Sequence, residues 1–258
     1  MSETSLNLKI KSSNFVSTVD RAAMVLSAFR QSWDFLTLSD IVNYTGLTKP
    51  TVFRILNSQV AEGLVFQNEA NNSYGLGFLN LRLADVFLSH HLLRKTVLPV
   101  MRNLLDQLNE NIVLGVRVGE RTYDIEVLEI TRLIAPSQTC GLVVALHESI
   151  SGTALLAAIS PEECTDYLKG HAQQITALPG AEKKLEQSLQ NITKAGFISA
   201  SGGVLLGGHT IAKSFAEGSA TLSITFPLAR FSKDFEQKAV QLLLESVHKI
   251  GKQSYSQI

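Results

Sequence analysis

The sequence predicts an α+β fold in two parts: a small winged helix-turn-helix unit, then a larger sheet domain covered by helices. Apolar residues recur at helical spacing in three short segments, the second and third joined by a tight turn at Gly46. Two apolar stretches then bracket the turn-forming run Asn68-Glu69-Ala70-Asn71-Asn72-Ser73. From residue 112 onward, strand-like and helix-like segments alternate.

Taken in order, residues 1–16 are polar and Ser-rich and read as a tail. Val19, Ala22, Ala23, Leu26 and Phe29 mark the first helix, with Ser17 or Thr18 as its cap. A second helix follows Thr37 through Leu38, Ile41 and Val42, and breaks at Thr45-Gly46-Leu47, where Gly46 takes a positive φ without a Cβ penalty. The third starts after Thr48 and runs through Val52, Ile55, Leu56 and Val60 to Gly63. Leu64-Val65-Phe66 and the alternating Tyr74, Leu76 and Phe78 are the arms of a β-hairpin with a polar tip. An amphipathic stretch over 79–95 reads as a linker helix. Pro99 then sits just inside a further helix through Met101, Leu104, Leu105 and Leu108. Strand patterns follow at 112–118, 123–130, 196–199, 205–211 and 220–225, and helical ones at 151–159, 161–168, 181–194 and 233–250. The expected organisation is a tail over 1–16, the winged unit over 17–78, the linker helix over 79–95 and the sheet domain over 96–258.

Composition narrows the function classes. The chain has 258 residues, 45% of them hydrophobic, and a formal net charge of +0, which argues against a general polyanion binder but not against reading a specific DNA site. Cys140 and Cys164 are too few for a disulfide framework or a four-thiolate metal site, and read as small buried hydrophobes of a reducing compartment. There is no N-terminal apolar leader, and no apolar run approaches the ~20 residues of a membrane span. A cytoplasmic protein with no membrane partner is expected. His90, His91, His147, His171, His209 and His248 lack ligand spacing, so no metal is expected. The glycine-rich Gly202-Gly203 and Gly207-Gly208 match no phosphate-binding motif, and there is no GxSxG elbow. No cofactor, no catalytic residue and no enzymatic activity are expected. Arg117, Arg121 and Arg132 are either guides for an anionic ligand or a solvated strand edge.

The chemistry concentrates on the third helix. Ile41, Leu47, Val52, Ile55 and Leu56 pack inward, which frees the opposite face for a DNA major groove. Pro50, Phe53, Arg54 and Asn57 share that face at three- and four-residue spacing. Thr48 is the N-cap, and Pro50 fits the first turn because its missing N–H has no helical partner. Arg54 can reach guanine or a phosphate, Asn57 can pair with adenine, Phe53 can pack on a thymine methyl, and Lys49 and Thr51 can hold phosphates. Over residues 1–77, Lys9, Lys11, Arg21, Arg30, Lys49 and Arg54 are offset by Glu3, Asp20, Asp34, Asp40, Glu62 and Glu69. The salt-dependent, nonspecific part of binding is therefore expected to be modest.

These residues resemble the IclR family of bacterial regulators. Thr18-Val19-Asp20-Arg21-Ala22 is similar to the family's opening helix, and Gly46-Leu47-Thr48-Lys49-Pro50-Thr51-Val52-Phe53-Arg54-Ile55-Leu56 to its recognition helix. Glu62-Gly63-Leu64-Val65 and Tyr74-Gly75-Leu76-Gly77 resemble the arms of its wing. Asn111-Ile112-Val113-Leu114-Gly115-Val116 and the stretch from Leu146-His147-Glu148-Ser149 through Ile150-Ser151-Gly152-Thr153 resemble two signatures of its second domain. The resemblance implies a GAF-like effector-binding domain, a homodimer formed through the DNA-binding half and often a homotetramer. It also implies a near-palindromic double-stranded operator and a small effector, an organic acid or other carboxylate. By the same resemblance the effector is held by backbone groups at Ile150 and Ser151 and by the side chains of Thr210, Ser223 and Thr225. Where the family carries an acidic pair, this chain has Ala200-Ser201-Gly202-Gly203. That departure motivates the alternative of a ligand-independent regulator whose GAF-like domain serves only oligomerisation.

Overall fold

A computed structural model describes residues 16–29, 35–130, 139–177, 180–202 and 205–254, without the side chains of 205, 206 and 252–254. Arg30, Asp34, Arg132, Gly203 and nearly all of the expected tail lie outside the described residues. The chain divides into two compact units, residues 1–90 and 91–258.

The first unit holds helices α1 (Ser17–Leu26), α2 (Leu38–Thr45) and α3 (Lys49–Ala61), strands β1 (Val65–Asn68) and β2 (Ser73–Leu76), and helix α4 (Phe78–His90). Val25, Leu36, Ile41, Val52, Ile55, Leu56, Val65 and Tyr74 form its buried centre. Helix α1 begins after Val16, which has no side-chain cap bond, so the expected caps Ser17 and Thr18 are its first helical residues. At α2 a capping box forms: the Thr37 hydroxyl accepts from the Asp40 N–H, and the Asp40 carboxylate accepts from the Thr37 N–H. The Thr37 hydroxyl, which also donates to the Asp40 carboxylate at 2.6 Å, and then the Thr37 N–H hold Asp40 below the usual carboxylate pKa. Gly46 ends α2 at φ 67°. The strands pair antiparallel from Val65↔Leu76 to Asn68↔Ser73, and Leu36 bridges Tyr74 as a minimal third strand. Phe78, expected to continue the alternation of β2, instead opens α4 and is exposed.

The stretch expected as one linker helix over 79–95 is two helices. The first, α4, ends at His90, and α5 (Leu92–Leu108) starts after His91, whose extended backbone and ring nitrogen cap the Arg94 N–H. Pro99 lies inside α5, not near its start.

The second unit is built on a six-stranded antiparallel sheet in the order β5-β4-β3-β8-β7-β6. Its strands are β3 (Asn111–Val118), β4 (Arg121–Leu128), β5 (Val143–Ala145), β6 (Ile198–Gly202), β7 (Leu205–Phe215) and β8 (Ala220–Pro227). One face packs on α5 and on α10 (Lys233–Ser254). The other is covered by α6 (Ile150–Leu156), backed by α9 (Ala181–Ala195), with α7 (Pro161–Gly170) and α8 (Ala172–Ile175) beside them. The expected strands and helices are present within a few residues; β5 and α8 are additional. Among the described residues no helix is long and apolar enough to cross a membrane.

Every residue of β8 is buried, yet its two faces differ. Leu222, Ile224 and Phe226 join the apolar core, where the Phe226 ring meets Phe235 of α10 edge-on at 4.9 Å. Thr221, Ser223 and Thr225 point the other way, beneath α6. Polar/apolar alternation usually marks a strand with one wet face; here α6 covers the polar face and turns it into an enclosed row of hydroxyls.

Candidate nucleic-acid interface and ligand cup

Helix α3 separates its two sides as the spacing predicts. Val52, Ile55 and Leu56 are buried, while Lys49, Pro50, Phe53, Arg54 and Asn57 are exposed and Thr51 is half-buried. Phe53 leaves 46% of its surface open, a cost in water that a thymine methyl would relieve. Thr48 occupies the N-cap position, but its hydroxyl meets the Thr51 hydroxyl at 2.9 Å in place of a helix N–H. Both hydroxyls thus stand at the opening turn, where free N–H groups and the helix dipole favour a phosphate. Gln59 departs from the apolar pattern of α3 yet is buried; its amide N–H donates to the Ala22 carbonyl at 2.8 Å and ties α3 to α1, while Oε1 has no partner among the described residues. The wing tip is shaped by its own side chains: Asn68 accepts from the Ala70 N–H, and Asn71 accepts from the Ser73 N–H and hydroxyl.

In the second unit the expected ligand residues converge under α6. Ser149 caps the helix by accepting from the Gly152 N–H at 2.9 Å. That leaves the N–H groups of Ile150 and Ser151 in the first turn, where a helix supplies no carbonyl to meet them. The Ser151 hydroxyl donates to that of Ser223 at 3.3 Å, and the Thr210 and Thr225 hydroxyls lie 3.2 Å apart across the β7–β8 pair. All four are buried. Ile150 instead packs against the apolar group of Ala154, Ile192, Ile198 and Ala212, and supplies a wall. The His147 N–H donates to the Tyr167 hydroxyl at 3.1 Å and its Nδ1 lies 2.7 Å from the same oxygen, fixing the turn before α6 to α7. Burial lowers the His147 pKa and raises that of Tyr167.

Sequence reasoning missed three polar residues at the β4 side of this face. Strand β4 carries one extra residue, Ile125, between the pairs Leu114↔Glu126 and Gly115↔Asp124. This bulge turns Glu126 toward α5, where it pairs with Arg94, and Asp124 toward the cup. Thr122, Asp124 and Thr221 are all buried there, and desolvation pushes Asp124 up to a pKa of about 7. An acid flanked by Tyr123 and Ile125 in a strand pattern was the available signal.

Other expectations fare differently. Arg117 is engaged, bonding the Gly218 carbonyl at 3.2 Å and Glu163 at 2.6 Å, and Arg121 is exposed. Cys140 is not a buried hydrophobe but exposed, with its thiol donating to the Ile125 carbonyl, because it sits in the turn before β5; Cys164 is half-buried. Among the described residues no group of three His, Cys, Asp or Glu gathers as a metal site would require.

The model of the IclR helix-turn-helix domain matches residues 18–69, and that of the C-terminal domain of bacterial IclR transcriptional regulators matches residues 86–252. The chain is 25% identical over 227 residues to the transcriptional repressor IclR of Escherichia coli, covering 85% of this chain and 83% of that protein. It is 27% identical over 175 residues to the transcriptional regulator KipR of Bacillus subtilis, covering 68% and 69%. Among solved structures, an IclR family regulator from Brucella abortus aligns with a TM-score of 0.81 at 24% identity over 96% of each chain. An IclR homologue from Microbacterium hydrocarbonoxydans, solved in complex with 4-hydroxybenzoate, aligns with a TM-score of 0.72 at 25% identity over 90% of this chain and 97% of that one.

Proposed function

The chain belongs to the IclR family of bacterial transcriptional regulators, and from that premise we propose that it reads a near-palindromic operator through α3 and that a small organic acid held under α6 sets its affinity for DNA. The observation that carries the DNA half is the two-sidedness of α3: a buried seam of Val52, Ile55 and Leu56 and an exposed face of Lys49, Pro50, Phe53, Arg54 and Asn57. Thr48, Lys49 and Thr51 hold phosphates and set the register; Arg54, Asn57 and Phe53 read bases.

The effector half rests on the cup. A carboxylate seated at the Ile150 and Ser151 N–H groups would gain the helix dipole, and Ser223, Thr225 and Thr210 supply further donors from the sheet. A relative solved with 4-hydroxybenzoate supports an organic acid as the ligand class. An effector acts only by binding one arrangement of the protein better than another, and that difference is what alters operator affinity.

Two copies acting together follow from the operator geometry, since recognition helices in successive major grooves lie ~34 Å apart. Exposed apolar residues on α4, among them Phe78, Leu81, Val86 and Phe87, support a homodimer through the DNA-binding half, with the homotetramer as a higher assembly. The protein then acts where the chromosome lies, in the cytoplasm.

The test is selection of random duplex DNA by the purified full-length protein at near-physiological salt. A near-palindromic motif is expected. Arg54→Ala should weaken binding to it at least tenfold while circular dichroism stays unchanged. A folded protein that enriches no motif, with or without added metabolite extract, would remove α3 as the reading element.

A further inference from the structure

Two of the three hydroxyls on the inward face of β8 have partners: Ser223 meets Ser151, and Thr225 meets Thr210. The third, Thr221 Oγ1, is fully buried and has no hydrogen-bond partner among the described residues, and the same holds for Thr122 Oγ1 on β4. Beside Thr122 on β4 is Asp124, its carboxyl also buried, with no side-chain hydrogen bond among the described residues. The three side chains converge on the backbone of Gly115. A methyl group there would sit 2.8 Å from Thr221 Oγ1, 3.1 Å from Thr122 Cγ2 and 3.4 Å from Asp124 Oδ1. Buried polar groups are nearly always satisfied, and an unfilled set of three in one place points to a guest.

We propose that Thr122, Asp124 and Thr221 form a second polar end of the cup, which binds a hydroxyl group of the effector, so that this chain selects hydroxylated organic acids over their deoxy counterparts. This rests on the reading of the cup as the effector site and adds what the far end of the ligand must carry. The match is one of donors and acceptors. An alcohol or phenol oxygen offers one O–H and two lone pairs. A carboxyl oxygen of Asp124 accepts the O–H, and the Thr122 and Thr221 hydroxyls donate to the lone pairs, so each of the three buried side chains gains a hydrogen bond. An ammonium group has no lone pair for the two threonines. The spacing also fits. Thr221 and Ser223, two residues apart on one strand face, are separated by about 7 Å, the scale of a carboxylic acid with its hydroxyl across a benzene ring or at the end of a four-carbon chain. Asp124 thus supplies, from the β4 end, a carboxyl group that the chain lacks at Ala200-Ser201.

Isothermal titration of the full-length protein with two matched pairs tests this: 4-hydroxybenzoate against benzoate, and 5-hydroxypentanoate against pentanoate. In at least one pair the hydroxylated acid should bind tenfold or more tightly. Asp124→Leu, and independently the near-isosteric Thr221→Val, should each cut that preference below threefold while the Kd of the deoxy acid moves by less than threefold. Equal binding of both members of each pair, or a preference that survives both substitutions, overturns the second polar end and assigns the site to a bridging water. If binding of the deoxy acid still weakens in Ser151→Ala, the cup itself stands in that case. No binding by any of the four acids removes both the cup and its second end.

Discussion

At the scale of single residues, Asp124 is a buried acid of the second unit. Burial makes its carboxyl hold its proton up to a pH of about 7 against 3.8 in the open chain. Between those two values the folded protein binds a proton that the unfolded chain releases. The sign follows directly: stability from this group is greatest below pH 4, falls as pH rises toward 7, and is level above that. The full swing is at most about 4 kcal/mol. Asp124→Asn removes the titration and keeps the shape. The variant's advantage over the parent in chemical denaturation should therefore be small at pH 4 and grow up to pH 7.5. A gap that stays constant over this range would show that the carboxyl is solvated. The low pKa of Asp40, held down by Thr37, acts in the opposite sense but at an exposed site, where its effect on stability is small.

At the scale of elements, Gln59 makes a sharper test than the helix boundaries do. Its one bond to Ala22 is offset by a buried Oε1 with no partner. Gln59→Leu should leave the stability of the first unit unchanged or raise it by up to about 1 kcal/mol, as when a half-satisfied polar group gives way to an apolar one of similar size. A loss above about 2 kcal/mol in urea unfolding would mean that the link between α1 and α3 dominates. Helices α2 and α3 were legible because a capping residue, a glycine turn and a buried stripe all agree at Thr37, Gly46 and Val52-Ile55-Leu56. Strand β3 was legible from its apolar run Ile112-Val113-Leu114, and β4 and β8 from alternation. Strand β5 was not, since three residues carry no period. Nor was the break at His91, which depends on one ring capping one N–H. The candidate cup was half legible: resemblance supplied Ile150, Ser151, Thr210, Ser223 and Thr225, and alternation puts the last two on one face. The bulge at Ile125 is what hid the rest. Strict alternation puts Asp124 and Glu126 on the same side of β4, and only the skipped pairing separates them.

At the scale of the whole molecule, the proposed homodimer rests on α4. Leu83, Val86 and Phe87 lie three and four residues apart on it, all more than half exposed. Leu83→Asp with Phe87→Asp should yield a monomer by analytical ultracentrifugation, with at least a hundredfold loss on a palindromic operator and little change on a half-site. An unchanged dimer would place the interface elsewhere. Charge sets a second property at this scale. The described part of the first unit has few cations to release counterions, and the wing tip has none between Gln67 and Ser73. Affinity should therefore depend only weakly on salt, and the selectivity of the protein must come from α3.

The order of strands in the sheet also bears on how the chain comes off the ribosome. The pair at the centre joins β3 to β8, so Ile112 is opposite Ile224. The contacts of the first unit close over short stretches, whereas the sheet cannot close until its last strand exists. At about 5–20 residues per second, about seven to thirty seconds separate synthesis of the wing from synthesis of Ser223 and Thr225. During that interval every nascent molecule carries the helix-turn-helix without the strand that completes the sheet. A chain released before Pro227 keeps that condition for good: it owns α3 and lacks the strand that carries Ser223 and Thr225.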